Sequence, residues 1–374
     1  MLKLPQGSQT LQRISLVCVA SLTISSFGLL VKASQVDGAI LYSTFSVTLL
    51  SELFKLCVAS AAWLHASFSS ASSASQLCKR AESKESSDCE PNNPSASTTE
   101  FPTRTDVLRY SVPGILYVIA NNIRFPMSER VNPAVIAVVW NMKIFGIAAL
   151  LKFALGRIIT QRQWAGIALL FVGSVLTELS QWHWHNEKGK ETETQLEGLF
   201  LLAMGLVVVS FANVICEHIY KGNAADVAIP LHKQNVVLYS WGFTLNAIMW
   251  FIHKPAGDGL FDHYTHWTIA VIISSGTGGY LIGAMFKYLD SIAATFADLI
   301  AMLTTAILSA IFFDLDANFW FYVGFLISSL SIYVYYVGKS TSQDDLVQET
   351  GNGDTEMDDL SLKEASPTET EKFL

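Results

Sequence analysis

Charge is scarce in this chain. Of its 374 residues, 15% are charged and 51% are hydrophobic, and the mean hydropathy is +0.37. Soluble globular proteins carry about 25% charged residues, so the composition excludes an ordinary soluble domain and indicates a membrane protein. The formal net charge of −8 resides in residues 341–374, which hold ten Asp or Glu and two Lys. The rest of the chain balances acidic and basic residues, which excludes a basic surface for nucleic acid.

Motifs of enzymes and metalloproteins are missing as well. The five cysteines have neither the spacing of zinc ligands nor that of a disulfide framework. The chain contains no Walker lysine motif, no HExxH and no GxSxG, and it shows no nucleophile–base arrangement. We therefore expect no enzyme activity, no metal site and no cofactor.

Long apolar runs are abundant instead. About 20 helical residues cross the roughly 30 Å hydrocarbon core of a bilayer. Ten apolar segments can be marked, at residues 14–32, 40–66, 108–128, 131–153, 160–181, 197–219, 234–253, 267–287, 291–313 and 317–338. The pattern predicts an all-α membrane protein with ten transmembrane helices.

The ten segments divide five and five around a polar connection between residues 181 and 197. An odd number of spans per half inverts the second half relative to the first. We therefore predict two inverted five-helix repeats, at residues 14–181 and 197–338. A substrate site is expected near the bilayer midplane, where the two repeats meet.

The segments outside the repeats are polar. Residues 67–106 are predicted to form a flexible, serine-rich cytosolic loop, and residues 339–374 a disordered acidic tail. Residues 1–13 are predicted to form a short cytosolic N-terminus. Lys and Arg concentrate in alternate connections, and the positive-inside rule then places both termini in the cytosol.

A lysine lies in the middle of the fourth apolar segment. Lys143 stands in the run AVIAVVWNMKIFGIAALLKFAL at residues 134–155. A charged side chain at that depth costs several kcal/mol unless it faces a polar cavity or a partner. No acidic residue lies three or four positions away, so the partner is an acidic side chain from elsewhere or a bound anion. We favour the anion, which makes Lys143 a candidate substrate-binding residue.

Four further charged residues at membrane depth are predicted to have structural or coupling roles. Glu52 and Lys55 are three residues apart and share a helix face, which favours an ion pair. Glu217 lies near the cytosolic end of its segment, where its side chain can extend to the interface. Asp298 either partners a lysine or caps a local polar patch, and the sequence leaves both readings open.

Uncharged polar residues form two groups at helical spacing. Tyr117 precedes Asn121 and Asn122 by about one turn, and Asn235 precedes Tyr239 by four residues. Such groups suit a ligand with a ring to stack and edges to hydrogen-bond, although Asn and Tyr also join helices without binding anything. Two groups together with buried lysines favour a lined cavity.

Several stretches carry a resemblance to a known family. They are SELFKL at 51–56, Tyr117-x-x-x-Asn121-Asn122, NMKI at 141–144, LGRIITQRQWAGIALLFVGSVL at 155–176, QNVVLYSWG at 234–242 and GGYLIGAMFKYLDSI at 278–292. The sequence resembles the nucleotide-sugar transporter family of the drug/metabolite transporter superfamily. Within it, the chain resembles the branch that carries CMP-sialic acid, UDP-galactose and UDP-N-acetylglucosamine.

The resemblance implies ten helices in two inverted five-helix repeats. It implies exchange of a cytosolic pyrimidine nucleotide sugar for a lumenal nucleoside monophosphate by alternating access. The membrane would be that of the Golgi, with the endoplasmic reticulum as the alternative, and the protein could form homo- or hetero-oligomers. Lys143 and Lys287 resemble the phosphate-binding lysines of the family. The residues that resemble those lining its nucleotide site are Tyr117, Asn122, Asn235 and Tyr239.

Some positions depart from the family pattern. Asp298 interrupts a helix that is usually uncharged, and His218 follows Glu217 where a lysine is usual. Two alternatives therefore stay open beside the transporter reading. One is a carrier of another phosphorylated metabolite from the same superfamily, and the other is a membrane scaffold or regulator that does not transport.

Overall fold

The computed structural model describes residues 6–35, 40–82, 103–130, 140–181, 192–222, 229–253, 259–313 and 319–337. The regular structure within these ranges is helical, and it contains no strand. The helices are α1 Gln6–Ala33, α2 Thr44–Glu82, α3 Arg104–Arg130, α4 Lys143–Phe153, α5 Gln161–Gln181, α6 Thr192–Lys221, α7 Leu231–His253, α8 His266–Tyr288, α9 Ser291–Phe313 and α10 Phe319–Val337.

Six stretches of the described helices are long and apolar enough to cross a membrane. They are Leu11–Val31, Thr44–Ser69, Glu197–Lys221, Leu231–His253, His266–Tyr288 and Phe319–Val337. This confirms the prediction of an all-α membrane protein. The arrangement as ten spans in two inverted repeats remains a prediction. For example, α4 has 11 residues and is about 16 Å long at 1.5 Å per residue, which is short of a full bilayer crossing.

The serine-rich segment is partly helical, which corrects the loop predicted at residues 67–106. Helix α2 continues without interruption to Glu82, and α3 already begins at Arg104. Residues 67–82 contain no Gly or Pro, and a helix already nucleated in the apolar part of α2 propagates at little cost through Ser, Ala, Gln, Lys and Glu. Helix α1 likewise begins at Gln6, inside the segment assigned to the N-terminus. Residues 83–102 and the tail at 339–374 lie outside the described residues.

The main helix–helix contacts join the first half of the chain to the second half. Helix α1 packs on α8 and α9, α2 on α7 and α8, α3 on α6 and α7, and α4 on α6 and α9. Helix α5 packs on α10, where Gly173 and Gly324 let the two backbones approach closely. These pairings between the halves are unchanged when each helix is exchanged with the one five places along the chain.

An apolar core holds α4 in place. Ile144, Ile147 and Leu151 on one face of α4 are buried against α5, α6, α9 and α10. Gly146 lies against Ser210 of α6, so closely that a Cβ there would lie 2.7 Å from the Ser210 hydroxyl. The position of the residue that begins α4 is therefore set by packing on several sides.

Candidate functional site

Lys143 is buried and paired with an acidic side chain. Its Nζ donates to Oδ2 of Asp298 on α9 at 2.7 Å. The side chain of Lys143 is 7% exposed, and that of Asp298 is 29% exposed. The sequence left two kinds of partner open for Lys143, and in the structure the partner is an acidic side chain. Of the two interpretations of Asp298, the structure likewise shows the one in which it pairs with a lysine. Among the described residues, this carboxylate is the one side chain that pairs with Lys143.

Lys143 follows a turn residue, Met142, whose backbone angles are still helical, with φ −63° and ψ −13°. Residues 140 and 141 are helical and Met142 is a turn, after which α4 begins at Lys143 without a side-chain cap. The amide of Phe145 bonds back to the Met142 carbonyl at 3.0 Å. Because residues 140–142 keep helical backbone, the positive charge at this point is that of the Lys143 side chain.

Tyr117 connects α3 to the same region. Its hydroxyl donates to Oδ1 of Asn213 on α6 at 3.0 Å, and the residue packs against the buried apolar cluster that includes Tyr239. One turn further along, Nδ2 of Asn122 donates to the Val118 carbonyl at 2.7 Å. Asn121 is half-buried. Tyr117 therefore joins α3 to α6 and to the face of α7 that carries Tyr239.

Asn235 and Tyr239 share that face of α7, as their spacing predicts. A Cβ at Gly283 of α8 would lie 3.3 Å from both Asn235 Oδ1 and Tyr239 Oη. The Tyr220 hydroxyl donates to Asn235 Oδ1. The Nδ2 of Asn235 is buried and has no hydrogen-bond partner within the described ranges. A buried donor left unsatisfied costs about 1–3 kcal/mol, so this amide is suited to an incoming acceptor.

Glu52 and Lys55 form the ion pair that their spacing predicts. Lys55 Nζ lies 2.5 Å from Glu52 Oε1, with both side chains largely buried. The same Nζ lies 4.9 Å from the centroid of the Tyr239 ring. Gly242 makes room for the glutamate, since a Cβ there would lie 2.6 Å from Glu52 Oε2. The pair joins α2 to α7 and holds one side of Tyr239.

Lys287 has partners of its own, separate from those of Lys143. Its Nζ donates to the Ile229 carbonyl at 2.5 Å, to Gln234 Oε1 at 2.6 Å and to the Tyr220 carbonyl at 3.4 Å. These groups belong to the end of α6 and the start of α7. An ammonium has three donors, and here all three are engaged. Lys287 thus holds the α6–α7 connection in this structure and shares no contact with Lys143.

A second cluster of charge, the Arg157 network, consists of Arg157, Glu217, Lys221, Asp290 and Ser291. Arg157 Nη2 lies 3.1 Å from Asp290 Oδ2, and Nη1 lies 3.5 Å from Glu217 Oε1. Burial by itself would lower the pKa of Arg157, but the neighbouring groups, Asp290 foremost and Glu217 among them, together outweigh this and the pKa is raised. The guanidinium therefore stays charged at any physiological pH.

The two acids of the Arg157 network cap α9. Glu217 Oε2 accepts from the Ser291 amide at 2.7 Å, and Asp290 Oδ1 accepts from the Ala293 amide at 2.7 Å. Acidic groups at a helix N-terminus satisfy open amides and the helix dipole. Glu217 is 3% exposed, so the expectation that it extends to the interface is wrong, because its bonds to α9 hold it inside the bundle.

Several of these residues were not singled out from the sequence. Asn213 and Tyr220 are joined to the site only by contacts between helices that are distant in sequence. Arg157 and Asp290 lie at the ends of apolar segments, where charge is usual and carries little signal. The glycine before Arg157 has φ +63°, a conformation that favours glycine, and this turn directs Arg157 back toward the bundle.

Comparison with known proteins decides the family. A family model described as "Nucleotide-sugar transporter" matches residues 8–336. The chain belongs to the nucleotide-sugar transporter family. This is a family of transporters and not of enzymes, and the chain is accordingly a multi-pass membrane protein.

Curated relatives of this transporter carry related names. It is 28% identical over 324 residues to CMP-sialic acid transporter 1 of Oryza sativa subsp. japonica, covering 84% of this chain and 90% of the relative. It is 27% identical over 233 residues to the UDP-galactose/UDP-N-acetylglucosamine transporter srf-3 of Caenorhabditis elegans, covering 62% of each. A solved crystal structure has the same fold, with a TM-score of 0.60 at 14% identity over 87% of this chain and 98% of the other.

Proposed function

We propose that this transporter exchanges a cytosolic pyrimidine nucleotide sugar, of the UDP-sugar or CMP-sialic acid type, for a lumenal nucleoside monophosphate by alternating access. The observation that carries the proposal is the buried Lys143, paired with Asp298, in a bundle whose α7 carries the buried Asn235 and Tyr239 on one face. The names of the relatives, which cite CMP-sialic acid, UDP-galactose and UDP-N-acetylglucosamine, favour a pyrimidine nucleotide.

The chemistry of the cargo fits these groups. A phosphate must lose its hydration to enter the bundle, and a buried lysine replaces water with positive charge. The aromatic rings supply stacking surfaces for a base, and the buried Nδ2 of Asn235, unpaired among the described residues, supplies a donor for its edge. The proposed substrate-binding residues are Tyr117, Asn121, Asn122, Lys143, Asn235, Tyr239 and Lys287. Glu52, Lys55, Glu217 and Asp298 are assigned structural or coupling roles.

The packing of the halves supports the alternating-access part of the proposal. The helix pairs between the halves are unchanged when the halves are exchanged, which is the pattern of two repeats related by a two-fold axis. Repeats of this kind move against each other about a site at their interface. The proposed site draws on α3 and α4 from one half and on α7, α8 and α9 from the other.

The proposal includes a place in the cell. We infer a Golgi membrane, with the endoplasmic reticulum as the alternative, and both termini in the cytosol. The basic residues of alternate connections support this orientation. Assembly as a homo- or hetero-oligomer is compatible with the proposal but not part of it.

Purified protein in liposomes tests the proposal directly. Uptake of CMP-sialic acid and of a panel of UDP- and GDP-sugars would be measured into vesicles loaded with UMP, CMP, GMP or inorganic phosphate, and into empty vesicles. We expect uptake of a pyrimidine nucleotide sugar, accelerated most by internal UMP, with CMP next. Stimulation by phosphate alone would favour the carrier of another phosphorylated metabolite. A protein that binds and moves none of these substrates would favour the scaffold or regulator.

A further inference from the structure

Lys143 is more deeply buried than its partner, and its backbone is held by packing on α6. The Lys143 carbonyl accepts from the Ser210 hydroxyl of α6 at 3.4 Å, and the next residue of α4 is fully buried. The lysine side chain is 7% exposed, but the Asp298 side chain is 29% exposed. Of the two charged groups the carboxylate is therefore the more accessible one, and the backbone that carries the ammonium is fixed by packing.

The Lys143–Asp298 pair affects how fast a carrier without cargo reorients across the membrane. A lysine without a counter-ion is costly inside a low-dielectric bundle, so a carrier with an isolated lysine reorients slowly unless a phosphate neutralises it. Asp298 supplies that negative charge from within the protein, at 2.7 Å. Both steps of an alternating-access cycle can then proceed with a neutralised lysine.

We propose that Asp298 is a built-in counter-ion that competes with the substrate phosphate for Lys143, so that this carrier returns without cargo and its exchange is not obligatory. The inference rests on the proposed function. It assigns Asp298 as a positioning residue that acts through Lys143 and sets how strongly uptake depends on a counter-substrate.

Two consequences follow from the competition. Removal of the Asp298 charge leaves Lys143 to the phosphate alone, and it removes a like charge from the neighbourhood of that phosphate, so nucleotides bind more tightly. It also leaves Lys143 without a neutralising partner between substrates, so the return of the empty carrier slows. Affinity and empty return therefore change in opposite directions, which a loss of folding does not produce.

The test compares Asp298→Asn with the wild-type protein in liposomes. Uptake of the preferred nucleotide sugar is measured into empty vesicles and into vesicles loaded with UMP. We expect the ratio of loaded to empty uptake to rise about tenfold in the variant. That factor corresponds to a barrier to the return of the empty carrier that is higher by about 1.4 kcal/mol. Binding of UMP to the purified protein, measured by calorimetry, is expected to tighten by at least about threefold.

Matched variants separate the proposal from a structural role. Asp298→Glu keeps the charge and should restore uptake into empty vesicles. Asp262→Asn removes an exposed carboxylate outside the bundle and should leave the ratio unchanged. If Asp298→Asn does not accumulate, Asp298→Ser is measured in its place.

Each outcome decides the inference. An unchanged ratio, or an equal fall in loaded and empty uptake, overturns the role of Asp298 while leaving the transport proposal intact. A wild-type protein that neither takes up nucleotide sugars nor binds UMP overturns the proposed function, and this inference with it. A raised ratio with tighter UMP binding, reversed by Asp298→Glu, supports it.

Discussion

The bundle contains two clusters of buried charge that are held in different ways. In the Arg157 network, Glu217 accepts from Arg157, from Lys221 and from both the amide and the hydroxyl of Ser291. Lys143, by contrast, pairs within the described residues with the single carboxylate of Asp298. A charge with several partners cannot change one without disturbing the others, which suits a structural joint. A charge with one displaceable partner suits a binding site.

The largest effect is expected at Lys143. Replacing it with Ala removes the buried cation that the proposed phosphate site requires, so we expect uptake of nucleotide sugar to fall to background. Abundance should stay near that of the wild type, because Asp298 is part-exposed and can be solvated. Uptake into UMP-loaded vesicles is the measurement.

A matched control lies on the same helix. Lys152→Ala removes an exposed lysine from the last turn of α4, and its uptake should equal that of the wild type. Normal transport by Lys143→Ala would contradict the anion-site role, and failure of that variant to accumulate would make the lysine structural.

The next effect in size is expected at Glu217. Replacing it with Ala leaves the Ser291 amide and hydroxyl without their acceptor and weakens the attachment of Arg157. We expect the free energy of unfolding to fall by about 3 kcal/mol. The loss is not larger because Arg157 keeps its pair with Asp290 and its side chain is 30% exposed. The measurement is the thermal unfolding midpoint in detergent, which should fall by several degrees. An unfolding midpoint equal to that of the wild type would contradict the structural role of the Arg157 network.

Lys221 should matter little although it belongs to the same network. Its side chain is 38% exposed, and exposed ion pairs contribute about 0–1 kcal/mol. We expect Lys221→Ala to unfold at nearly the wild-type temperature and to transport at the wild-type rate. A fall as large as that of Glu217→Ala would show that the lysine, and not the cap on α9, stabilises the joint.

The smallest effect is expected from removal of residues 341–374. This segment carries −8 by itself and has few apolar residues to bury, so it has little means of packing on the bundle. The rate of uptake by purified truncated protein in liposomes should match that of the full chain. Lost activity in that assay would contradict the prediction, whereas altered sorting in cells would not.

Sequence patterns were most informative for features that depend on neighbouring residues, such as the length of an apolar run or the spacing of two side chains along one helix. Apolar runs of membrane length predicted the helical membrane class, and six of them are recovered as spans. The spacing of Glu52 and Lys55 predicted their pair, and that of Asn235 and Tyr239 their shared face, because residues three or four apart on a helix are neighbours. The serine-rich segment was misjudged as far as Glu82, since low hydrophobicity does not by itself end a helix that is already formed.

The identity of each charge partner was beyond such patterns. Lys143 and Asp298 are 155 positions apart, and Arg157 and Asp290 are 133 apart. No local rule selects one distant carboxylate over another, and the sequence alone favoured a bound anion for Lys143.

The sequence by itself determined that this protein is a bundle of apolar helices with a lysine at membrane depth, because hydrophobicity and helical period are local properties of the chain. Only the tertiary structure decided that Asp298 neutralises that lysine, and that Glu217 and Asp290 cap α9. Those contacts depend on the packing of one half of the chain against the other, where small residues such as Gly146 and Gly173 let particular helices approach.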